Sequence, residues 1–317
     1  MELPSGSTYK VLVPAGDVDP VVNAMRQSGQ LNVHLLDVVE RFSEQGGRFV
    51  DLGAHVGSVA LAAACMGRHV LAVDAARSFV DLMNESARIN SFKDFAAVFG
   101  AVGDHNGSVR FNVDGPFGQV TTEATGTTVP LYTGSALLRD RGWEHIDVLK
   151  VDVEGSEPEV FNGMSQLLSG ELAPVIVYES NGPVLEARGV PVEDVRLQLM
   201  AFGYTVYSVE SGRYAPVPAE QCQVEGVVDL VALKDTHLGA VQHLLREPLT
   251  DEELANRAIE WTGLGAPIER LRLLSVLTDP ALSFKNDHRV VEAMTRLADD
   301  SDEAVRQSAV RALSSRN

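Results

Sequence analysis

From Arg48 onward, short apolar runs alternate with stretches of helical spacing, and this alternation dominates the 317-residue chain. RFVDLG is followed by SVALAAACMG, HVLAVDA by RSFVDLMNESARIN, and IDVLKVDVEG by PEVFNGMSQLLSG; PVIVYES closes the series. The apolar runs have the length of strands and their partners read as helices. AAVFGAVG and SVRFNV add further strands, a Gly- and Thr-rich loop spans residues 114–130, and GSALLRDRG predicts a helix after it. Repeated strand–helix–strand order predicts a doubly wound α/β sheet with helices on both faces.

The pattern changes at both ends. Before Arg48, TYKVLVPA predicts a short strand, and VDPVVNAMRQSG and LNVHLLDVVERFSEQGG predict two helices closed by glycine. After the helix VEDVRLQLMAFG come YTVYSVESGRYAPV and VVDLVALK, two strands with no helix between them. They predict an antiparallel hairpin added at the sheet edge. Beyond about Lys234 the strands stop, and TDEELANRAIEWTG, PIERLRLLSVLTD, DHRVVEAMTRLADD and SDEAVRQSAVRALSS all carry helical spacing. In the last of these, Val305, Ala309, Ala312 and Leu313 share one face while Arg306 and Arg311 point outward. ADDSDEAVRQSAVRAL resembles a HEAT-type repeat unit; a helical cap packed on the sheet is the alternative. The division expected is an N-terminal helical segment at 1–46, an α/β domain at 47–235 and a helical module at 236–317.

Composition narrows the partners. Forty-four Asp and Glu against 26 Lys and Arg give a net charge of −18, which repels polyanions and argues against nucleic acid. Cys65 and Cys222 lack the CxxC spacing of a redox or metal site and read as small apolar groups. MELPSGSTYK lacks the basic and apolar regions of a signal peptide, and no apolar run reaches the roughly 20 residues of a membrane helix. A cytoplasmic protein with no membrane contact is expected.

The candidate chemistry starts at RFVDLGAHVGSVAL. In a doubly wound sheet, ligands bind beyond the carboxyl ends of the strands. Gly53 and Gly57 let the backbone approach a bound molecule, and the helix that follows offers free N–H groups. Gly-Ala-His-Val-Gly is not the GxGxxG of pyrophosphate binders, which disfavours a nicotinamide-dependent oxidoreductase. Asp74 ends the next strand, where an acid can accept both hydrogen bonds from a ribose diol. A ribose-bearing ligand without pyrophosphate suggests S-adenosylmethionine, its amino-acid end in the glycine turn.

VDLGAHVGSVAL, AVDA, AVGDHNGSVRF and above all DVLKVDVEGSEPEVFNGM resemble the FkbM-type S-adenosylmethionine-dependent methyltransferases over roughly residues 48–235. The resemblance implies the class I methyltransferase fold, Rossmann-like, with seven strands and a reversed terminal hairpin. It also implies O-methylation, commonly of sugar or natural-product hydroxyls. Two departures stand out: the second-strand acid is usually Glu followed by Pro, whereas this chain has Asp74-Ala75-Ala76, and an acidic LDDLL-like stretch is replaced by LYTGSALL. The cofactor set expected is Asp51, Gly53, Ala54, His55, Gly57, Ser58, Asp74, Ala75, Ala101 and Val102.

Methyl transfer to a hydroxyl needs collinear donor and acceptor and a group to accept the proton. Alternation along IDVLKVDVEGSE points Lys150, Asp152 and Glu154 one way and Leu149, Val151 and Val153 the other. Three charges at the end of a central strand are costly unless they pair or meet ligand, and a structural Lys150–acid pair is the alternative to a catalytic role. Glu179 ends the neighbouring strand, with Asn181 just after it. Asp152 is the first candidate to orient substrate or take the proton, with Glu154 and Glu179 as rivals. The same carboxylates could bind Mg²⁺, though no spacing demands a metal. His55 could contact the cofactor carboxylate or simply fix the loop. Trp143 and Trp261 read as packing groups, and the loop around PFGQVTTEATGTT either as a lid over substrate or as an ordinary exposed loop. The acceptor expected is a small molecule or glycan, and the C-terminal helices could recruit a protein partner or a second copy. A cofactor-binding scaffold without catalysis is the competing reading.

Overall fold

The computed structural model describes residues 1–16, 20–29, 32–112, 119–120, 126–210, 213–217, 227–245, 262, 274 and 287–314. Helices α1 (Pro20–Ser28) and α2 (Val33–Phe42) come first, as their spacing predicts. TYKVLVPA is not a strand: Thr8 makes only an isolated bridge to Glu2. Its backbone is satisfied by side chains instead, Lys10 N–H donating to Asn90 Oδ1 (2.9 Å) and Leu12 N–H to Ser86 Oγ (2.8 Å). With its donors taken by a helix surface, the segment has no need of a sheet.

The alternating core follows in order: β1 (Arg48–Leu52), α3 (Ser58–Cys65), β2 (His69–Asp74), α4 (Arg77–Ile89) and β3 (Phe95–Phe99). A second, four-stranded sheet is made by β4 (Ala101–Gly103), β5 (Gly107–Asn112), β6 (Gln119–Val120) and β7 (Thr127–Thr133), in the order β4-β7-β5-β6. The expected loop at 114–130 is therefore partly strand; its Thr residues suit a half-buried pleat better than a turn. Residues 113–118 and 121–125, and with them most of the expected lid, lie outside the described residues.

Next come α5 (Gly134–Asp140), β8 (Val148–Val151), α6 (Glu157–Gly163), α7 (Ser165–Leu168), β9 (Val175–Asn181), α8 (Gly182–Ala187) and α9 (Val192–Ala201). The sheet is completed by β10 (Thr205–Glu210), β11 (Arg213–Pro216) and β12 (Val227–Leu233). The strand order is β11-β10-β12-β9-β8-β1-β2-β3. The fold class expected holds, with one strand more than the seven anticipated, the short edge strand β11. β12 does not lie at the edge either. It runs antiparallel between β9 and β10, because its VVDLVAL run is apolar enough to be covered on both sides, whereas β11 carries an exposed Arg213.

Both faces of the sheet are buried, and the strands show how. Phe49, Val70, Val148, Val175 and Val177 pack on one side with α2, α3 and α4. Val50, Leu52, Leu71, Leu149, Val151 and Ile176 pack on the other with α5, α6 and α9. Successive residues of one strand thus enter different cores, which is why these runs are continuously apolar. Helix α3 is apolar all round because it is buried on every side, from Ser58 to Ala64.

Near the C-terminus, α10 (His288–Leu297) and α11 (Glu303–Ser314) share an apolar cluster that includes Val290, Met294, Val305, Ala309 and Ala312, with Leu313 packed against it. Arg306, expected to face outward, folds back so that Nη1 donates to the carbonyls of Asp300 and Ser301. The preceding segments TDEELANRAIEWTG and PIERLRLLSVLTD, Trp261 included, lie outside the described residues apart from Thr262 and Leu274, as does Cys222. Cys65 is a free, partly buried thiol. Trp143 is half-buried between the guanidinium groups of Arg48 and Arg141.

Candidate active site

The carboxyl ends of β1, β2, β8 and β9 open onto a cavity of about 770 Å³, a size suited to a cofactor with a small second ligand. At the end of β1 the chain turns sharply. Gly53 (φ 78°), His55 (φ 53°) and Gly57 (φ 81°) are all left-handed. A Cβ at Gly53 would overlap the Asp152 carbonyl, so only glycine lets this turn lie against the end of β8. At Gly57 a Cβ would come within 2.8 Å of Met83 Cγ.

Asp74 fastens this turn. Its Oδ2 accepts the His55 N–H and its Oδ1 the Ala76 N–H, both at 2.7 Å. Each oxygen keeps a second lone pair, and the residue lines the cavity. Burial pushes its carboxyl up to about 6 against the pull of those two amides. A carboxylate with two lone pairs left over, beside a backbone cradle, fits a ribose diol.

On the other side of the glycine turn, Lys150 is 7% exposed and Asp51 is 1% exposed. Lys150 Nζ lies 3.2 Å from Asp51 Oδ1 and donates to Asp152 Oδ2 (3.1 Å) and to the Gly53 carbonyl (3.4 Å). Burial works against its charge, but Asp152 and Asp51 outweigh it and hold the ammonium protonated. Burial likewise pushes the Asp51 carboxyl up while Lys150 draws it back.

The strand alternation expected through Glu154 ends early: β8 stops at Val151, and residues 152–155 form a turn in which Glu154 has φ 52°. The turn nevertheless brings Asp152 and Glu154 to Glu179, with one carboxylate oxygen from each within 4.8 Å of the others. Asn181 Nδ2 donates to Glu154 Oε2 (3.1 Å) and Glu179 Oε2 (3.4 Å). Burial raises Glu154 to about 7, with Asp152 and Glu157 adding to the effect. Burial followed by the charges of Asp152 and Glu154 raises Glu179 to about 8. Such a cluster can share protons near neutral pH, and its hard oxygens could hold a divalent cation such as Mg²⁺.

Of the residues expected to form the site, Gly53, Ala54, His55, Ser58, Asp74, Ala75, Ala101, Val102, Lys150, Asp152, Glu154 and Glu179 line one cavity. Asp51, on β1, and Gly57, inside the turn, do not line it. The His55 ring rests edge-on against Phe79, with centroids 4.3 Å apart. Several lining residues escaped sequence reasoning. Pro20, Val21, Ala24, Asn32 and Leu35 bring the N-terminal helices to the wall; Phe111, Thr127 and Val129 come from the small sheet. Asp229 on β12 lies opposite Glu179 in register, and its Oδ2 is 2.7 Å from His34 Nε2. Only Asp229 gave a signal, as an acid interrupting the apolar run VVDLVAL.

Residues 51–206 match the family model described as methyltransferase FkbM domain. That segment is an FkbM methyltransferase domain. The protein is thus an S-adenosylmethionine-dependent methyltransferase with S-adenosylmethionine as its methyl donor, and the scaffold and nicotinamide readings fall. Solved structures similar to the chain include a precorrin-6y C5,15-methyltransferase from Geobacter metallireducens (12% identity, 64% of this chain and 88% of that one, TM-score 0.37). Others are a TehB-like S-adenosylmethionine-dependent methyltransferase from Corynebacterium glutamicum (14%, 68% and 94%, TM-score 0.39) and the METTL16 methyltransferase domain (14%, 71% and 73%, TM-score 0.41). No curated protein matches the chain. Among the described residues no helix is long and apolar enough to cross a membrane.

Proposed function

We propose that the domain transfers methyl groups to a hydroxyl of a sugar or of a glycosylated or other natural-product metabolite. The observation that carries this reading is the convergence of Asp152, Glu154 and Glu179 within 4.8 Å in the cavity that also holds Asp74 and the glycine turn. When bound, S-adenosylmethionine supplies an electrophilic methyl on a sulfonium. The chain's own groups then divide the remaining work. Asp74 holds the ribose diol, residues 53–58 the amino-acid end, and Ala75, Ala101 and Val102 flank the base. Asp152, Glu154 and Glu179 orient the acceptor hydroxyl, and one of them takes its proton as the oxygen attacks. Lys150 fixes Asp152 against the turn instead of reacting.

The charges also favour an acceptor class. The cavity wall carries Asp74, Asp152, Glu154, Glu179 and Asp229, and its only Lys or Arg among the described residues are Lys150 and Arg77. Lys150 is engaged by Asp51 and Asp152, and the Arg77 guanidinium sits 4.0 Å over the Phe99 ring. Among the described lining residues the acids outnumber these two cations, which disfavours an anionic phosphate. The charge balance favours neutral or amine-bearing sugars over nucleotide sugars and phosphorylated acceptors.

The test is a panel of neutral, amino and phosphorylated glycosides incubated with methyl-labelled S-adenosylmethionine. Asp152→Asn and Glu179→Gln are expected to lower turnover by about a hundredfold or more while donor affinity stays within about threefold. Transfer confined to phosphorylated acceptors, or unaffected by either substitution, refutes the reading.

A further inference from the structure

The turn that carries Asp152 and Glu154 is held by a residue that never reaches the cavity. Glu157 opens α6, is 1% exposed and lies outside the cavity wall. Its Oε1 accepts two backbone N–H groups, from Val153 at 3.1 Å and from Gly155 at 3.3 Å. Between those donors stands Glu154 in the left-handed region, a conformation that costs a non-glycine residue about 1–3 kcal/mol unless its surroundings impose it. Gly155 follows at φ 89°. Burial pushes the Glu157 carboxyl up to about 7 despite the amides it accepts. Its Oε2 has no hydrogen-bond partner among the described residues. A buried carboxylate that is only half satisfied destabilises a fold. What Glu157 contributes is therefore the hold of Oε1 on the turn.

We propose that Glu157 is a positioning residue for methyl transfer, its Oε1 gathering the Val153 and Gly155 amides so that Glu154 is forced into its left-handed conformation beside Asp152. This rests on Asp152 and Glu154 serving the acceptor, as argued above. What matters is the reach of the side chain, not its charge. The turn is short, and a displacement of about 1 Å in a reacting group can cost about a hundredfold in rate.

Two substitutions separate reach from charge. Glu157→Gln keeps an acceptor oxygen at the same reach and removes the charge; Glu157→Asp keeps the charge and falls one methylene short. Each variant is assayed with labelled S-adenosylmethionine and a mixture of neutral and amino methyl glycosides, for kcat and for acceptor KM. Donor affinity is measured by calorimetry, and amide exchange at Val153 and Gly155 by NMR. Glu157→Gln should keep kcat within about threefold and leave both amides protected, whereas Glu157→Asp should lose about a hundredfold in kcat with both amides deprotected and donor affinity unchanged. A folded Glu157→Gln enzyme that is inactive, or a Glu157→Asp enzyme that is fully active, overturns the proposal. If the unaltered protein methylates no glycoside, the acceptor reading fails instead. Amide exchange then still decides whether Glu157 holds the turn: protection retained in Glu157→Asp, or lost in Glu157→Gln, refutes it.

Discussion

Two turns lie side by side at the cavity, one after β1 and one after β8, and they share several features. Each has a non-glycine residue forced left-handed, His55 at φ 53° and Glu154 at φ 52°, with a left-handed glycine within two residues of it. Each is held by a carboxyl group that accepts two backbone N–H groups: Asp74 takes one from the turn, His55, and one from its own segment, Ala76, whereas Glu157 takes both from the turn, Val153 and Gly155. The difference lies in where the acid comes from. Asp74 reaches in from a neighbouring strand and presents its free lone pairs to the cavity, so it can hold its turn and touch a ligand together. Glu157 comes from the helix that its own turn begins, and it is buried. It holds the turn and leaves the ligand to Asp152 and Glu154. The donor half thus combines scaffold and contact in one residue, and the acceptor half separates them.

The largest effect is expected where the two turns touch. Gly53→Ala would drive a Cβ into the Asp152 carbonyl at a backbone angle that disfavours alanine. We expect a loss of about 3 kcal/mol in denaturant unfolding and no measurable methyl transfer. Gly57→Ala carries the same backbone strain but meets only side-chain atoms, Met83 and Leu61, instead of backbone, so its loss should be smaller, about 1–2 kcal/mol. Equal losses at the two positions would mean that the close approach of the turns is unimportant.

Next comes Asp74→Asn. An amide nitrogen would have to face either the His55 or the Ala76 N–H, donor against donor. Calorimetry should show S-adenosylmethionine binding weakened by about a hundredfold, with transfer at saturating donor far less affected. The wild-type protein should also show a pH signature. Its Asp74 carboxyl is raised to about 6, and the diol needs the charged form. Donor affinity should therefore be flat above about pH 6 and fall by up to about tenfold per unit below it. Affinity that stays level down to pH 5 would remove Asp74 from the donor site.

The two halves also differed in how readily the sequence revealed them. The donor half follows general rules: a glycine turn after the first strand, an acid at the tip of the second, and apolar runs that demand two covered faces. Asp152, Glu154 and Glu179 were legible as charges at strand ends. Their meeting was not derivable from alternation, because β8 ends at Val151 and a left-handed turn brings Glu154 round. Glu157 carries no sequence signal of its own, because an acid in the first turn of a helix is explained by the dipole alone. The wall from α1 and α2 was hidden because Pro20, Val21 and Ala24 carry no chemistry. Their role depends on how separate elements pack, which spacing along one element does not encode.

Within the acceptor half, the protonation of the cluster should set the rate. Glu154 is raised to about 7 and Glu179 to about 8, so the charged form that can take a proton accumulates as pH rises. Transfer at saturating donor should climb between about pH 6 and 8 and level off above. Glu179→Gln should move the midpoint downward, since one of the repelling charges is gone. A profile flat from pH 6 to 9 would show that no group of this cluster accepts the proton.

The smallest effect is on stability, and its sign runs against intuition. Glu179 is raised far above the usual glutamate range, first by burial and then by the neighbouring acids. The folded state therefore holds this proton more tightly than the unfolded chain does. Its charge destabilises the fold progressively as pH rises from the ordinary glutamate range towards about 8. Glu179→Gln should raise the melting temperature by about 2–4 °C at pH 8 and leave it nearly unchanged at pH 5, after allowance for solvent screening of a partly exposed group. Asp152 still repels Glu154, so the gain stays small. The same substitution removes a candidate proton acceptor, so a protein that becomes steadier at pH 8 while losing turnover would show the acceptor half strained for its chemistry. A destabilised Glu179→Gln protein at pH 8 would instead mean that Glu179 is held in place by attractive contacts that outweigh the repulsion of its neighbours.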